Sequence, residues 1–262
     1  MRIGTDTRAV VTGAGKGIGR AIAAQLASRG ATVGLVARSG DELEALAGDL
    51  GEGASALAAD VGDREAIEAA IGRFIVSAGG LELLVANAGI ARYAPFTEQD
   101  PADVEAMVRT NVLGTINTIR AGLDAMLDRG TGHIVVISSA AALRAWPWGA
   151  VYGATKAANK GFAEALRHEL SGTGVSVTTV FPGEVTTEIH SSADRLPDWR
   201  RDDEEIPAEE VASATLGAVE ADRREVHIPR QVRLLALNDL APGLVDRLLA
   251  AIRGGAAAPR RY

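Results

Sequence analysis

Residues 9–19 read AVVTGAGKGIG, a short apolar run that passes directly into a glycine-rich turn. After the turn, apolar residues recur at helical spacing as far as Gly30, a residue typical of a helix C-cap. Glycine permits positive φ and lets backbone N–H groups approach an oxygen-rich ligand. The N-terminus of the following helix adds unpaired donors and a partial positive charge. This stretch predicts a strand, a pyrophosphate-binding turn and a helix, in that order.

Strand-length apolar runs alternate with helical patterns along the rest of the chain. The runs predict strands at 32–36, 55–58, 81–86, 133–137, 175–180 and 225–228. They are continuous rather than alternating, which is typical of strands buried on both faces. Strand–helix alternation favours parallel pairing with right-handed crossovers. We therefore predict an α/β fold for residues 1–262, a single Rossmann-like, doubly wound domain with a parallel sheet of about seven strands flanked by helices.

Two segments fall outside this regular alternation. Residues 188–206 are dense in charge, and a loop of this length inside a compact domain is often a lid or a substrate loop. A solvated surface excursion is the alternative. Residues 231–253 form a second, apolar segment with spaced arginines, which predicts helical structure broken at Pro242. It could pack against a neighbouring subunit or lie on a membrane surface, and acidic residues among the arginines favour packing.

Composition excludes several classes of protein. The net charge of −7 gives no basic footprint for nucleic acid, and the absence of cysteine excludes disulfide scaffolds and thiol nucleophiles. Four histidines without paired spacing give no support to a metal site. The longest uncharged runs, such as 130–143, are shorter than the roughly 18 residues that span a bilayer. With Arg2, Asp6 and Arg8 near the start, we expect no signal peptide and a cytoplasmic protein.

Cofactor choice should be decided where the second strand ends. An acidic residue there would bind both ribose hydroxyls and repel a 2′-phosphate. This sequence instead has Ala37 and Arg38, and Arg38 can contact a phosphate in bidentate fashion. Lys16, within the glycine-rich turn, supplies a second positive charge. We predict that NADP(H) is preferred over NAD(H); two ordinary surface cations are the alternative.

A tyrosine and a lysine four residues apart predict acid–base chemistry. Tyr152 and Lys156 would share one face of a helix. A free tyrosine, with a pKa of about 10, is a poor base, and a nearby ammonium should lower that pKa. Ser139 ends a predicted strand at the edge where open α/β sheets bind ligands, so its hydroxyl could hold a substrate oxygen. Asn111, in the predicted helix 101–128, could join a water-linked proton relay to Lys156 or be a satisfied buried amide.

The order and spacing of these motifs resemble the short-chain dehydrogenase/reductase family over residues 8–190. The resemblance rests on residues 12–19 together with Asp60-Val61, Asn87-Ala88-Gly89, Asn111, Ser139, Tyr152, Lys156 and the run Pro182-Gly183-Glu184-Val185-Thr186-Thr187. It implies that Asn111, Ser139, Tyr152 and Lys156 are the catalytic set. With the turn and Arg38, the implied cofactor-binding set is Gly13, Gly15, Lys16, Gly17, Ile18, Gly19, Arg38, Asp60, Val61, Asn87, Ala88, Gly89, Tyr152, Lys156, Pro182, Gly183, Val185 and Thr187.

The resemblance also assigns individual roles to several of these residues. It implies that Asp60 and Val61 hold the adenine and that Asn87 stabilises the central strand and the cofactor region. Val185 and Thr187 would contact the nicotinamide carboxamide, and Lys156 would also bond the nicotinamide ribose.

The activity expected from these residues is hydride transfer between NADP(H) and a small carbonyl compound or alcohol, with Tyr152 as general acid and base. A cofactor-binding sensor without turnover, or an epimerase or dehydratase on the same fold, are the alternatives. The resemblance further implies a homodimer or homotetramer formed through helices at 101–128 and 150–171. Tyr93, Trp146, Trp148 and Trp199 could line an apolar substrate pocket, or could instead pack in the core or at a subunit contact.

Overall fold

The computed structural model describes residues 1–186 and 205–252. In this part of the chain the strands are β1 (Arg8–Thr12), β2 (Thr32–Ala37), β3 (Ala54–Ala58), β4 (Leu83–Ala86), β5 (Gly132–Ile137), β6 (Val175–Pro182) and β7 (Glu225–Ile228). They form one parallel sheet in the order β3-β2-β1-β4-β5-β6-β7. The order reverses between β1 and β4, so the carboxyl ends of these two strands border a crevice. The predicted doubly wound parallel sheet is confirmed.

Helices cover both faces of the sheet. The α-helices in the described part of the chain are α1 (Gly17–Ser28), α2 (Gly40–Leu50), α3 (Arg64–Ala78), α4 (Pro101–Met107), α5 (Gly114–Arg129), α6 (Ala150–Glu169), α7 (Ala208–Glu220) and α8 (Pro242–Ile252). One core layer lies between the sheet and α1, α2 and α7, and the other between the sheet and α3, α5 and α6. In β1, Val11 faces the first layer and Val10 the second. Burial on both sides explains why the strand sequences are continuously apolar.

The helix predicted at 101–128 is not regular. Between α4 and α5 the backbone forms a π-helical turn at Val108–Leu113, which contains Asn111. A π turn rotates the residues after it relative to an uninterrupted α-helix, and such turns are frequent at functional sites. Asp100 caps the start of α4 by accepting a hydrogen bond from the Ala102 N–H at 2.8 Å. Periodicity alone predicted the helical stretch but not this irregularity within it.

The two irregular segments are described only in part. Residues 187–204, which include most of the predicted lid at 188–206, lie outside the described residues, as does Arg253 at the end of the C-terminal segment. At the edge of the lid, Ile206 pairs with Val185 in an isolated parallel bridge. The C-terminal segment forms a 3₁₀ helix at Arg230–Asp239 followed by α8, a break that agrees with the one predicted at Pro242.

β5 carries a buried histidine, His133, whose side chain is 2% exposed. Its Nε2 lies 2.7 Å from Thr178 Oγ1, and this hydroxyl donates at 2.6 Å to the Arg223 carbonyl. Because this hydroxyl uses its only hydrogen to donate to Arg223, its oxygen accepts from the ring. A neutral His133 therefore carries its proton on Nε2. Burial lowers the pKa of His133 to about 4, and Asp222 opposes this shift.

This histidine predicts acid lability. Because the unfolded chain takes up a proton near pH 6.5 and the folded chain only near pH 4, the free energy of unfolding should fall between these values as the pH drops. At pH 5 the loss from His133 is about 2 kcal/mol relative to neutral pH. His133→Gln keeps an N–H donor but has no such titration. Urea unfolding at both pH values should therefore show a smaller pH dependence for the variant, and equal dependence would contradict the prediction.

Candidate active site

A cleft of ≈ 410 Å³ lies at the carboxyl edge of the sheet, above the glycine-rich turn. Three loops that follow β1, β2 and β4 line it, together with residues that follow β3. Of the predicted cofactor residues, it brings together Gly13, Gly15, Lys16, Gly17, Ile18, Arg38, Asp60, Val61, Asn87, Ala88 and Gly89. A smaller cavity of ≈ 70 Å³ adjoins it and shares Ile18 and Asn87 with it. The two spaces therefore meet at the carboxyl ends of the central strands, where open α/β sheets bind ligands.

The smaller cavity is lined by three of the four residues that were predicted to be catalytic. Its lining includes Ser139, Tyr152 and Lys156, together with Pro182, Gly183 and Val185. Gly19 lines neither space and instead packs beneath the turn, where an added Cβ would lie 2.3 Å from the Gly13 carbonyl oxygen. Thr187, predicted at the nicotinamide carboxamide, lies outside the described residues.

The glycine-rich turn is fastened to the strand beside it. Gly13 has a φ of 66° and approaches the loop after β4 so closely that an added Cβ would lie 2.9 Å from Ala88 Cα. The Asn87 side-chain amide donates to the carbonyls of Thr12 at 2.8 Å and Gly13 at 3.3 Å. Thr12 Oγ1 in turn accepts from the N–H groups of Asn87 and Ala88.

The N-terminus of α1 is suited to a pyrophosphate. Lys16 occupies the N-cap without a side-chain cap, and the first turn of the helix contains no acidic residue. Its first N–H groups therefore face the cleft with the positive end of the helix dipole, and no acidic side chain of the first turn of α1 competes for them. The turn and the helix N-terminus together fit a dinucleotide, and these residues would hold its phosphates.

The far end of the cleft carries the features predicted to select the nucleotide. Arg38, exposed at the end of β2, lines the cleft together with Lys16 and Ser39. Asp60 lines it from the loop after β3, and its Oδ1 accepts from the Gly62 N–H at 2.8 Å. Glu42, which the sequence analysis did not single out, also lines this end.

Tyr152 and Lys156 lie one turn apart on α6, and both are buried. Lys156 is 3% exposed; its Nζ donates to the Ile137 carbonyl at 3.0 Å and lies 5.9 Å from the centre of the Tyr152 ring. Burial lowers the pKa of Lys156 to about 8. The ammonium is therefore held next to the phenol by a backbone carbonyl at the end of β5.

Two serines follow β5 and have different contacts. Ser139 lines the small cavity, and its Oγ accepts from the Ala141 N–H at 3.1 Å. Its O–H can therefore still donate to a substrate oxygen. Ser138, a residue that sequence reasoning did not assign, donates through Oγ to the Lys156 carbonyl at 2.9 Å and so ties α6 to the strand end. Both serines line the small cavity, but the Ser138 hydroxyl hydrogen is used in this contact, and the doubled serine was the available signal for it.

Asn111 links the loop after β4, which lines the larger cleft, to α6. Its Oδ1 accepts from the Ile90 N–H at 2.8 Å, and its Nδ2 donates to the Ile90 carbonyl at 2.9 Å and to Thr155 Oγ1 at 3.0 Å. A Cβ added at Gly89 would lie 3.3 Å from both Asn111 Oδ1 and Lys156 Nζ. The side chain is a satisfied buried amide, which agrees with the second of the two predicted alternatives. A relay role for it stays a prediction.

Three of the four predicted substrate aromatics lie in the described part of the chain. The Tyr93 ring lies 5.9 Å from the Tyr152 ring at an angle of 57°. The loop that carries Trp148 is joined to that of Tyr93 by a hydrogen bond from the Ala94 N–H to the Trp148 carbonyl at 3.2 Å. Trp146 packs under the Arg144 guanidinium, 5.2 Å away. Trp199 lies outside the described residues.

Arg144 was also missed by the sequence analysis. It donates to Asn238 Oδ1 at 3.0 Å and pairs with Asp246 at 2.6 Å, and its side chain is 15% exposed. It therefore joins the loop between Ser139 and Tyr152 to the C-terminal segment. No local pattern could have found this contact, because the partners are about a hundred residues apart.

The sequence also offers no support to a metal site and indicates no membrane-spanning segment. Across residues 1–186 and 205–252, no three His, Asp or Glu side chains are grouped so as to hold a metal ion. Within the same residues, no helix has the length and apolar character needed to cross a bilayer.

Comparisons with known proteins agree on one family. The family model described as short chain dehydrogenase matches residues 7–196. An uncharacterised oxidoreductase of Staphylococcus aureus (strain MRSA252) is 33% identical over 220 residues, covering 84% of this chain and 93% of the relative. A short-chain dehydrogenase/reductase from Burkholderia phymatum in complex with NAD has a TM-score of 0.85 at 25% identity, covering 94% of this chain and 97% of the other. A short-chain dehydrogenase from Burkholderia cenocepacia J2315 in complex with NADP has a TM-score of 0.81 at 30% identity, covering 97% and 99%.

Proposed function

Because the chain belongs to the short-chain dehydrogenase family of oxidoreductases, we propose that it interconverts a ketone or aldehyde with the corresponding alcohol and uses NADP(H) in preference to NAD(H). The observation that carries this proposal is the position of Tyr152, Lys156 and Ser139 around one small cavity that adjoins the glycine-rich cleft. A nucleotide laid along the cleft would end at these three side chains. We propose residues 1–262 as one catalytic domain.

In the direction of reduction, Ser139 and Tyr152 have separate roles in the proton transfer. The hydride for the carbonyl carbon would come from NADPH when that nucleotide is bound. The Ser139 hydroxyl donates a hydrogen bond to the carbonyl oxygen and holds it beside Tyr152. The Tyr152 hydroxyl then gives its proton to that oxygen, so that the product is the neutral alcohol. In oxidation the phenolate takes the proton back from the alcohol.

Lys156 supports this transfer through its charge and its position. Its ammonium stabilises the phenolate that Tyr152 becomes when it has given up its proton. Because Nζ is held by the Ile137 carbonyl, the charge stays near the Tyr152 ring, and Lys156 would also bond the nicotinamide ribose. Asn111 fixes the neighbouring Ile90 loop against α6, and we assign it to proton resupply as a member of the catalytic set.

Recognition of the nucleotide is assigned to the loops that line the cleft. Asp60 and Val61 would hold the adenine, and Val185 and Thr187 the nicotinamide carboxamide. Arg38 and Lys16 would receive the 2′-phosphate, because no carboxylate stands at 37 or 38. The two structural relatives hold NAD and NADP respectively, so the preference in this chain rests on its own two cations.

Arg38→Asp should reverse the preference. We expect the Kd of NADPH to rise by about 10- to 100-fold, because a phosphate contact is replaced by repulsion, while NADH binds as well as before or better. Titrations with each cofactor, followed by protein fluorescence and by nucleotide fluorescence, measure the two Kd values. Arg73→Asp is the matched control, since Arg73 is exposed and does not line the cleft. An unchanged NADPH/NADH ratio in Arg38→Asp would remove the basis for the NADP(H) assignment.

For the substrate, we propose a carbonyl compound or alcohol with an apolar body, received by Tyr93, Trp146, Trp148 and Trp199. The support is the contact between the Tyr93 and Tyr152 rings and the joined loops that carry Tyr93 and Trp148. A panel of aldehydes, ketones and alcohols, assayed with NADPH and NADH in parallel, tests the reaction and the substrate class together. No turnover of any member with either nucleotide would count against the proposed reaction.

We also propose a homodimer or homotetramer that associates through α5 and α6. Val108 and Leu113, in the π turn that precedes α5, are 41% and 49% exposed, which leaves apolar surface for a partner copy. Light scattering coupled to gel filtration gives the mass in solution.

A further inference from the structure

Besides Asp60, which is assigned to the adenine, one further carboxylate lines the end of the cleft that is proposed to receive the 2′-phosphate. Glu42 lies in the first turn of α2, four residues after Arg38, and lines the cleft with it. Its Oε2 reaches over the glycine-rich turn, where it lies 3.7 Å from the position of a Cβ built on Gly15. Glu42 therefore projects away from its own helix and toward the floor of the cleft.

The sequence around Glu42 would normally favour a different arrangement. Ser39-Gly40-Asp41-Glu42 has the pattern of a capping box, in which the serine side chain accepts from the glutamate N–H and the glutamate side chain from the serine N–H. In the structure Ser39 is the N-cap of α2 but makes no side-chain cap hydrogen bond. The box is open, so the Ser39 hydroxyl and the Glu42 carboxylate are both left at the cleft.

We propose that Glu42 is a specificity-determining residue that opposes the 2′-phosphate, so that the preference for NADP(H) is weaker than Arg38 and Lys16 alone would give. The inference rests on the proposed function, which places the adenosine ribose at this end of the cleft. A carboxylate that shares this space with a phosphate repels it, and an uncharged ribose hydroxyl meets no such repulsion. If the capping box closed, the Glu42 carboxylate would turn away from the phosphate and its side chain would leave the cleft.

The charge balance at this end makes the effect measurable. Arg38 and Lys16 contribute two positive charges, and Glu42 and Asp60 contribute one negative charge each. Asp41, the adjacent residue, carries the same charge in the same first turn of α2 but does not line the cleft. The pair Glu42 and Asp41 therefore separates a local effect in the cleft from a general change in the charge of the helix.

The test compares Glu42→Gln with Asp41→Asn in the full-length protein, by fluorescence titration with NADPH and with NADH. We expect Glu42→Gln to lower the Kd of NADPH by about fivefold and to leave that of NADH within about twofold. Asp41→Asn should change either value by less than about twofold. Both residues are exposed, and thermal unfolding confirms that each variant is folded.

The outcomes distinguish this inference from the proposed function. An unchanged NADPH Kd in Glu42→Gln, or an equal gain in Asp41→Asn, would overturn the role of Glu42 even if the wild-type protein prefers NADPH. If the wild-type protein prefers NADH, the proposed preference fails, and a selective gain for NADPH in Glu42→Gln still supports the inference. Wild-type protein that binds neither nucleotide would overturn both.

Discussion

Tyr152→Phe is expected to bind NADPH as the wild-type protein does and to lose about a thousandfold in kcat. The variant keeps the aromatic ring, which is 8% exposed and packs with Tyr93, so the cavity should keep its shape. It removes only the hydroxyl that is proposed to exchange the proton. Steady-state rates on a substrate taken from the carbonyl panel, together with NADPH titrations, measure the two expectations separately.

Tyr93→Phe is the matched control for this experiment. It also removes one phenolic hydroxyl, from a ring 5.9 Å away, but Tyr93 has no lysine one helical turn below it. We expect it to keep most of its turnover and to change chiefly the KM of the substrate. If Tyr93→Phe were the inactive variant and Tyr152→Phe the active one, the proton donor would have been assigned to the wrong tyrosine.

The fold could be predicted because its signals are local. A strand such as β1 is recognised from its own residues, and α1 from apolar positions within a few turns. The alternation of strands and helices then favours a parallel sheet, because a helix between two strands returns the chain to the same end of the sheet. Element bounds were less accurate: β6 extends to Pro182, two residues beyond the predicted end, because β7 pairs with it as far as Ile228.

The site could be predicted only where the spacing of a motif is enough to bring its functional side chains together. Tyr152 and Lys156 are four residues apart, so their proximity follows from the helix itself. The partner of Asn111 is Ile90, 21 residues earlier, and nothing in the local sequence indicates that pairing. The position of Glu42 was hidden for a related reason, because its capping-box pattern predicts a side chain turned back onto its own helix.

Gly19→Ala is expected to damage both folding and nucleotide binding, although it adds a single methyl group to a helix. The added Cβ would lie 2.3 Å from the Gly13 carbonyl oxygen and 2.5 Å from Asn87 Nδ2, distances that real atoms do not adopt. The Gly13 carbonyl belongs to the turn and Asn87 holds that turn on β4, so relief of the clash must displace the phosphate-binding backbone. We expect a loss of about 3 kcal/mol in the free energy of unfolding, near the upper end for overpacking.

The same displacement should weaken NADPH binding by at least about tenfold, because the backbone N–H groups can no longer converge on the phosphates. Gly72→Ala is the control, since Gly72 lies within α3 and an added Cβ there meets nothing within 4 Å. At that position alanine should stabilise the helix by up to about 1 kcal/mol and leave the Kd unchanged. Urea unfolding and NADPH titration of the two variants provide the comparison. If Gly19→Ala unfolds like the wild-type protein and binds NADPH equally well, the turn does not depend on this contact. The cleft could not then be held in the shape on which the proposed nucleotide site depends.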